Sequence, residues 1–439
     1  MAYQETTATS YVSRLGGSFK GIFSGLMMVV AGTVLLWWNE GRAVKTGDML
    51  GEAQQACVEA GNIQQLNPKL NGKLVHATGL ATTTDSVGDP QFGVGAAGAL
   101  RVSRHVEYYQ WKEEAKTETK EKVGGSKEET TTYTYKQGWS RNPVKSENFK
   151  DPQYQRSNFI LIDVQSAAFQ AQNVTLGAYK LPQSMVNAIQ ADEHLKLDLG
   201  DAVLEEYNRT ITQLKEHEYA DVTRPQPTAA DSASGLEKAA GRAVDRASDA
   251  LGRYTYVHER DNELYIGRNP RRPEVGDVRI TFTKTMPREV TVIGKVSGGT
   301  LGPFIAGNGK EFQAVRDGSV EARDIFKQEE SSNGTWTWIL RLAGLLVVIG
   351  GFKSMFSMLY VLFKFLPFLA SVVEMGVSIV SGALGFGWSL AVIAVAWLFY
   401  RPLLSVGLLC VAAAVVAVVW RRGRDKRRKA ASPPTVPAA

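Results

Sequence analysis

Cysteine and histidine are scarce in this 439-residue chain, which contains two of the first and five of the second. Cys57 lies in a long polar region and Cys410 lies inside an apolar run, so they cannot pair within one chain, and a disulfide through Cys57 would have to join two chains. No histidine or cysteine recurs at zinc-binding spacing. The sequence therefore predicts no internal disulfide framework and no local metal site.

Catalytic and nucleotide-binding motifs are also missing. The chain has no Gly-x-Ser-x-Gly elbow, no P-loop and no Rossmann fingerprint after a strand. The glycines of 298–299 and 307–309 lack the lysine and the helix of a phosphate-binding loop, and tight turns explain them. We therefore expect no enzyme activity and no cofactor; a catalytic site would have to be assembled from distant residues.

What the sequence does have is long apolar runs. Gly21–Trp38, Met375–Tyr400 and Pro402–Trp420 carry no charge, and each reaches or approaches the roughly 20 residues that a helix needs to cross a bilayer. Another run begins at Trp336 and is interrupted by charge. We predict a membrane protein with four transmembrane α-helices. These helices are residues 19–38, 335–352, 375–400 and 402–420.

Basic residues follow the last run and indicate the topology. Residues 421–439 carry seven bases and one acid, a net +6 that equals the charge of the whole chain. A basic run beside a membrane helix is typical of the cytoplasmic side, and it could bind lipid headgroups at about 1 kcal/mol per base; nucleic-acid binding is the alternative, and we expect no such partner. The bases are Arg421, Arg422, Arg424, Lys426, Arg427, Arg428 and Lys429.

The N-terminus is predicted to be cytoplasmic as well. Residues 1–18 form a loose polar tail, with Arg14 and Lys20 just before the first apolar run. Both termini inside requires an even number of crossings, which four helices satisfy. Residues 39–334 then form one large α+β, β-dominated extracytoplasmic domain between helices 1 and 2.

Several patterns organise that domain. Residues 39–61 are compatible with continuation of the first helix outward. Leu100–Ser140 has two β-prone arms around Gly124-Gly125, which predicts a β-hairpin whose Lys/Glu-rich tip projects into solvent. The Ala-rich residues 222–253 predict a flexible insertion. Further strands are predicted at 73–81, 159–164, 277–284 and 289–296.

Polar residues interrupt the apolar sequence between the second and third helices. Lys353, Lys364 and several serines form one stripe at helical spacing, with Glu374 about one step to the side. Residues 353–374 are therefore predicted to be an amphipathic interfacial segment that Pro367 breaks. The alternative is that the stripe faces a polar path between helices.

Charged residues just beyond the first helix are candidate docking residues. Glu40, Arg42 and Lys45 are spaced to cover one side of a helix and could pair within it or dock the outer domain. Asn39, directly before Glu40, is a further candidate. Arg341 lies near the outer end of the second helix and is expected to snorkel outward. Tyr400 and Arg401 are further candidates at the end of the third helix. Arg401-Pro402 predicts a tight turn there.

Several segments together resemble the transmembrane protein 43 (LUMA) family. The resemblance runs in the same order from the first membrane helix to the last and covers nearly the whole chain. The chain departs from the family pattern in the Ala-rich segment of residues 222–253. Its carrying motifs are Asn39-Glu40-Gly41-Arg42-Ala43-Val44-Lys45-Thr46 and Trp397-Leu398-Phe399-Tyr400-Arg401-Pro402. Its supporting motifs are Tyr109-Gln110-Trp111-Lys112-Glu113-Glu114, Val174-Thr175-Leu176-Gly177-Ala178-Tyr179 and Val275-Gly276-Asp277-Val278-Arg279.

The resemblance implies four membrane helices, a large outer domain, self-association and no established enzyme activity. The short loops and the Ala/Val/Gly-rich helices favour a bacterial member in the inner membrane. We therefore expect a non-enzymatic scaffold or chaperone-like assembly factor whose partners are membrane lipids, other membrane proteins and further copies of itself. The alternative is an oligomeric ion channel or transporter lined by polar residues of the helices.

Overall fold

Long helices carry a β-rich domain in the computed structural model, which describes residues 3–122, 126–190, 192–218, 256–363 and 367–402. The helices are α1 (Tyr11–Ala56), α2 (Gln183–Ala188), α3 (Asp201–Glu218), α4 (Ala322–Met355), α5 (Ser357–Phe363) and α6 (Pro367–Tyr400). The first ten strands are β1 (Tyr3–Thr9), β2 (Cys57–Glu59), β3 (Leu74–Thr82), β4 (Ser86–Asp89), β5 (Val94–Ala97), β6 (Arg101–Glu121), β7 (Lys127–Ser140), β8 (Ala167–Gln170), β9 (Thr175–Leu176) and β10 (Tyr179–Lys180). The remaining strands are β11 (Asp192–His194), β12 (Val257–Arg260), β13 (Glu263–Ile266), β14 (Val278–Thr285), β15 (Arg288–Ser297), β16 (Thr300–Gly302), β17 (Phe304–Ile305), β18 (Glu311–Phe312) and β19 (Ala314–Asp317).

Three helical segments of the described chain are long and apolar enough to cross a membrane, which agrees with an integral membrane protein. They are Lys20–Ala56, Ala322–Phe363 and Val372–Tyr400. The predicted fourth helix at 402–420 lies almost entirely outside the described residues. The basic tail, Lys364 and the predicted insertion at 222–253 lie outside them too.

The first two membrane helices pack closely because glycines meet at their interface. A Cβ added at Gly25 would lie 2.5 Å from the Gly351 carbonyl oxygen, and one at Gly32 would lie 2.6 Å from a methyl of Val348. Small residues at such crossings let helix backbones approach, and van der Waals contact then holds them in lipid. The α1–α4 pair is therefore specified by glycine positions that a larger side chain would disturb.

Two sheets form the outer domain and enclose its main core. One is eight-stranded, with β6 and β14 at its centre, and the other is seven-stranded, with β15 paired to both β3 and β19. Side chains alternate between the faces of a strand. Val292 of β15 belongs to the core between the sheets, whereas its neighbour Ile293 packs with Leu50 of α1 and Phe326 of α4. The outer face of the seven-stranded sheet thus sits on the extramembrane turns of both helices.

The structure confirms several predicted elements. Helix α1 continues outward to Ala56, and β3, β14 and β15 lie where strands were predicted. The predicted hairpin is present, with β6 and β7 paired from Tyr108↔Ser140 to Glu121↔Lys127. The first part of β6 belongs instead to the central sheet, where it pairs with β14.

The strand predicted at 159–164 was wrong. The segment is irregular, with bends at Leu161 and Ile162; it buries Leu161 and Val164, and side chains satisfy part of its backbone. The Tyr108 hydroxyl donates to the Val164 carbonyl at 2.5 Å, and the Gln110 amide donates to the Phe159 carbonyl at 3.4 Å. Its apolar pattern reflects burial, which an irregular segment can share with a strand.

The N-terminal residues form a strand and not the loose tail that was predicted. Strand β1 pairs antiparallel with β7 from Tyr3↔Tyr133 to Thr9↔Lys127. Thr6 lies opposite Thr130, and a β-branched pair of this kind stabilises neighbouring strands. Paired strands occupy one compartment, whereas the predicted topology places the N-terminus and the hairpin on opposite sides. The orientation of the termini stays a prediction.

Candidate functional site

The candidate docking residues meet at the outer end of the membrane helices, around Glu40. Its side chain is 2% exposed, and both of its carboxylate oxygens pair with Arg341, at 2.6 Å from Nε and 2.8 Å from Nη2. The Trp397 indole N–H donates to the same carboxylate at 2.8 Å. Glu40 thereby joins α1, α4 and α6 in one charge-assisted cluster.

Arg341 is held inside this cluster, so the expectation that it snorkels outward was wrong. Its guanidinium lies over the ring of Trp338 at 4.9 Å and over that of Trp397 at 5.7 Å. Cation–π contacts of this kind strengthen when water is excluded. A bidentate carboxylate and two indole faces offset the cost of withdrawing the charge from water.

A second group of polar contacts extends the cluster one turn outward. Asn39 is fully buried and donates to the Thr337 carbonyl at 3.0 Å. Arg42 donates to the Asn333 side-chain oxygen at 3.1 Å and to the Thr337 hydroxyl at 3.0 Å. The Asn333 amide returns a bond to the Ala43 carbonyl at 3.0 Å. Helices α1 and α4 are thus locked in register just outside the membrane.

Tyr400 of α6 packs against α1 beside this cluster. A Cβ on Gly41 would lie 2.7 Å from the Tyr400 ring, so the ring lies directly on the helix backbone there. Trp37 packs edge-on against Phe399, with ring centroids 5.1 Å apart. The motif residues before and after the membrane runs therefore contact one another although they are distant in sequence.

The loop between β17 and β18 docks on α1 beside Lys45. The Asn308 amide donates to the Lys45 carbonyl at 2.7 Å, and the Gly307 N–H donates to Glu52 at 2.8 Å. Lys310 donates from Nζ to the Thr46 hydroxyl at 2.8 Å. The tight turn predicted at 307–309 is present. It brings the Lys310 ammonium close to Arg42 and Lys45.

The remaining candidates are not brought to this cluster. Lys353 is exposed in the last turn of α4, and Glu374 is exposed near the start of α6. Arg401 donates its backbone N–H to the Trp397 carbonyl at 2.7 Å. Among the described residues, Lys353 and Glu374 therefore lie on the outside of the helices and line no path between them.

The outer domain contains further buried polar groups. Arg104 and Asp89 form a buried ion pair at 2.7 Å, and the Tyr265 hydroxyl donates to buried Asp277 at 2.5 Å. Burial and, next to it, the Asp277 carboxylate raise the pKa of Tyr265. Burial, with a smaller contribution from Glu59, raises the pKa of the Cys57 thiol to about 11, so little reactive thiolate forms at neutral pH. In the part of the chain that the structure describes, no group of three metal-ligating side chains is placed to hold an ion.

Sequence reasoning named Arg341 and Tyr400 but missed the contributions of Asn333, Thr337 and Trp397 to the cluster. Asn333 and Thr337 belong to no motif, Trp397 was noted only as part of a family motif, and all three lie about 290 to 360 residues from their partners. The available signal for Asn333 and Thr337 was their position on either side of Trp336, where the apolar run begins, because polar residues there must find partners if they are buried.

Comparisons with known proteins agree on one family. The family described as "Transmembrane protein 43" matches residues 108–402. Curated proteins named "Transmembrane protein 43" from Rattus norvegicus and Homo sapiens are each 28% identical over 429 residues, covering 95% of this chain and 94% of theirs. The "Transmembrane protein 43 homolog" of Drosophila melanogaster is 28% identical over 405 residues, covering 90% of this chain and 92% of its own. No solved structure matches the chain.

Proposed function

The chain belongs to the transmembrane protein 43 family, and on that premise we propose that it is a non-enzymatic scaffold that organises membrane protein complexes through its extracytoplasmic domain. The observation that carries the proposal is the long hairpin of β6 and β7, which extends from a domain clamped onto membrane helices. Such a domain can present a partner-binding surface at a set position above the bilayer.

The clamp between domain and membrane supports this role. Helix α1 runs without a break from the predicted membrane segment to Ala56, and its end is buried in the core of the outer domain. The Glu40 cluster ties α1 to α4 and α6 at the boundary. A surface held in this way keeps a defined orientation toward neighbouring membrane proteins.

The hairpin offers a strand edge to a partner. Strand β7 pairs with β6 on one side and, in the structure, with β1 on the other. An edge that accepts a seven-residue strand has the hydrogen-bonding groups for strand addition, a common mode of peptide recognition. Its Thr and Tyr side chains supply the alternating contacts that select a partner.

Insertion into a bilayer makes this edge available. The 14 residues of β7 span about 45 Å, and residues 11–38 of α1 span about 40 Å beside them. If β1 stayed on β7, the Lys- and Glu-rich hairpin would lie at the depth of the lipid chains, where charged side chains are costly. We infer that β1 leaves β7 when α1 crosses the membrane, and that a partner strand takes its place.

Shortening the hairpin tests the scaffold role. Residues 112–136 would be replaced by an Asn-Gly turn between Trp111 and Gln137, which are paired across the strands. This change keeps the β6–β14 pairing of the domain intact. Complexes purified from native membranes are expected to lose the co-purified membrane proteins that wild type retains, as measured by quantitative mass spectrometry.

A charge exchange provides the control for that experiment. Lys116 and Glu118 are exposed and pair at 3.1 Å, and exchanging them keeps the strand edge and the net charge. The exchanged protein should keep its partners if the backbone edge is recognised. Full retention of every partner by the shortened hairpin would contradict the proposal.

Disulfide trapping tests the release of β1. Thr6 and Thr130 are paired, with hydroxyl oxygens 3.3 Å apart. In the membrane-inserted chain, oxidation of the Thr6→Cys/Thr130→Cys variant is expected to leave the two thiols unlinked, because they lie in different compartments. A disulfide within one chain in intact membranes would show that β1 remains on β7.

A second pair in the same hairpin shows that trapping works. Thr117 and Thr131 are paired across β6 and β7, with hydroxyl oxygens 2.9 Å apart. Thr117→Cys/Thr131→Cys should form its disulfide under the same conditions. Both variants would carry Cys57→Ser and Cys410→Ser, so that every disulfide comes from the introduced pair.

A further inference from the structure

A groove opens where α1, the end of α6 and the loop of residues 306–310 meet. Its volume is about 550 Å³ among the residues that the structure describes. Apolar and aromatic side chains line one half, and cations line the other. The lining residues that matter here are Val34, Trp37, Trp38 and Tyr400 on the apolar side, and Arg42, Lys45 and Lys310 on the cationic side.

The two halves lie at different depths in the membrane. Trp38 ends the uncharged run and is 54% exposed, as expected of a residue in the interfacial aromatic belt. Arg42 and Lys45 lie about 6 Å and about 10 Å further along the helix axis, within or just above the headgroup layer. Val34 lies about 6 Å below Trp38, at the depth of the acyl chains.

The cationic half has a local excess of positive charge. Burial lowers the pKa of Lys310 below its usual value, and the nearby charges of Arg42 and Lys45 lower it further. The nearest acid of the same loop contact, Glu52, accepts the Gly307 N–H, and no acid lines the groove among the described residues. An anion in the groove would therefore relieve repulsion that already exists there.

The donors are suited to a phosphate. The Lys310 ammonium has three N–H donors, of which the Thr46 hydroxyl takes one. The Lys45 side chain is exposed at the rim. Arg42 directs its guanidinium toward α4 and contributes mainly charge. Lysines serve as phosphate partners in this way, as point charges with rotatable donors.

We propose that the groove binds an anionic phospholipid of the outer leaflet. Its phosphate lies beside Lys45 and Lys310, and an acyl chain follows Val34 and the tryptophans toward the bilayer interior. A free phosphate would use only the cationic half, whereas the apolar half continues to the depth of the lipid chains. This site does not depend on the scaffold role.

Lipid retention by the full-length protein tests the site. The protein would be reconstituted in nanodiscs of equal phosphatidylglycerol and phosphatidylcholine, and the lipids it retains would be counted by native mass spectrometry. Wild type should prefer phosphatidylglycerol. Lys45→Gln/Lys310→Gln should lower that preference about 25-fold, or about five-fold for each lost cation.

Matched variants separate this site from general surface charge. Lys69→Gln/Lys73→Gln removes two exposed lysines elsewhere on the outer domain and should change nothing. Lys45→Arg/Lys310→Arg keeps the charge and should keep the preference. Equal retention of both lipids by wild type, or an equal loss in the Lys69/Lys73 control, would overturn the proposal.

Two further measurements distinguish the source of the phosphate. Soluble glycerol phosphate should compete weakly, because it lacks the acyl chains that the apolar half accepts; competition as strong as that of the lipid would overturn the lipid assignment in favour of a free phosphate site. Trp38→Ala should reduce retention of both lipids together. Unchanged retention in Trp38→Ala would equally overturn it.

Discussion

Glu40→Ala is expected to destabilise the protein by about 3 kcal/mol, because it leaves Arg341 without its carboxylate partner at a site closed off from water. The Arg341 side chain is 17% exposed, and both of its bonds to Glu40 are shorter than 2.9 Å. The Trp397 indole loses its acceptor in the same variant. Chemical or thermal unfolding in lipid nanodiscs measures the loss.

The double variant shows how much of that loss comes from the stranded charge. Glu40→Ala/Arg341→Ala should recover part of the stability lost in Glu40→Ala, because no unpaired cation remains. Glu118→Ala serves as the exposed comparison, since its pair with Lys116 is solvated and is worth at most about 1 kcal/mol. Equal stability of Glu40→Ala and Glu118→Ala would show that the cluster does not hold the helices together.

Gly25→Val is expected to cost at least about 2 kcal/mol by forcing α1 away from α4. A Cβ at Gly25 would lie 2.5 Å from the Gly351 carbonyl oxygen and 2.8 Å from the Met355 nitrogen. Both are backbone atoms of the opposing helix, so no rotamer change can relieve the clash. The unfolding transition in nanodiscs should shift to lower denaturant or temperature.

Gly47 provides the control on the same helix. No atom lies within 4 Å of a Cβ placed there, so Gly47→Ala should be neutral or should stabilise α1 by up to about 1 kcal/mol through its lower backbone entropy cost. If Gly25→Val proved as stable as Gly47→Ala, the close α1–α4 contact would not exist in the membrane.

The membrane helices and the hairpin could be predicted because their signals are local. The uncharged run at 21–38 predicts a spanning helix, and the alternation on both sides of Gly124-Gly125 predicts paired strands. The prediction of a strand at 159–164 was wrong because buried irregular segments have the same apolar pattern as strands. Strand β1 was missed because its seven residues are mostly polar and threonine-rich, and such a segment forms a strand only where an open edge such as that of β7 is near.

The Glu40 cluster could be predicted only in part. Its α1 members stood out as charges beside a membrane helix, but Arg341 was assigned to the headgroups because no local pattern records a partner 301 residues away. Its pairing depends on which faces of α1 and α4 meet, and glycines at the interface decide that. A polar residue near the end of a membrane helix can be satisfied either by water or by a buried partner, and the packing of the helices decides which.

The unbroken course of α1 has a mechanical consequence. Gly21 and Leu50 are joined by a single helix of about 44 Å, and Leu50 is buried in the core of the outer domain. A change of roughly 10° in the tilt of α1, of the size that bilayer thickness can impose, would displace Leu50 sideways by about 8 Å. The helix therefore acts as a lever arm: a change in bilayer thickness changes the tilt of α1, and the tilt of α1 changes the position of the outer domain.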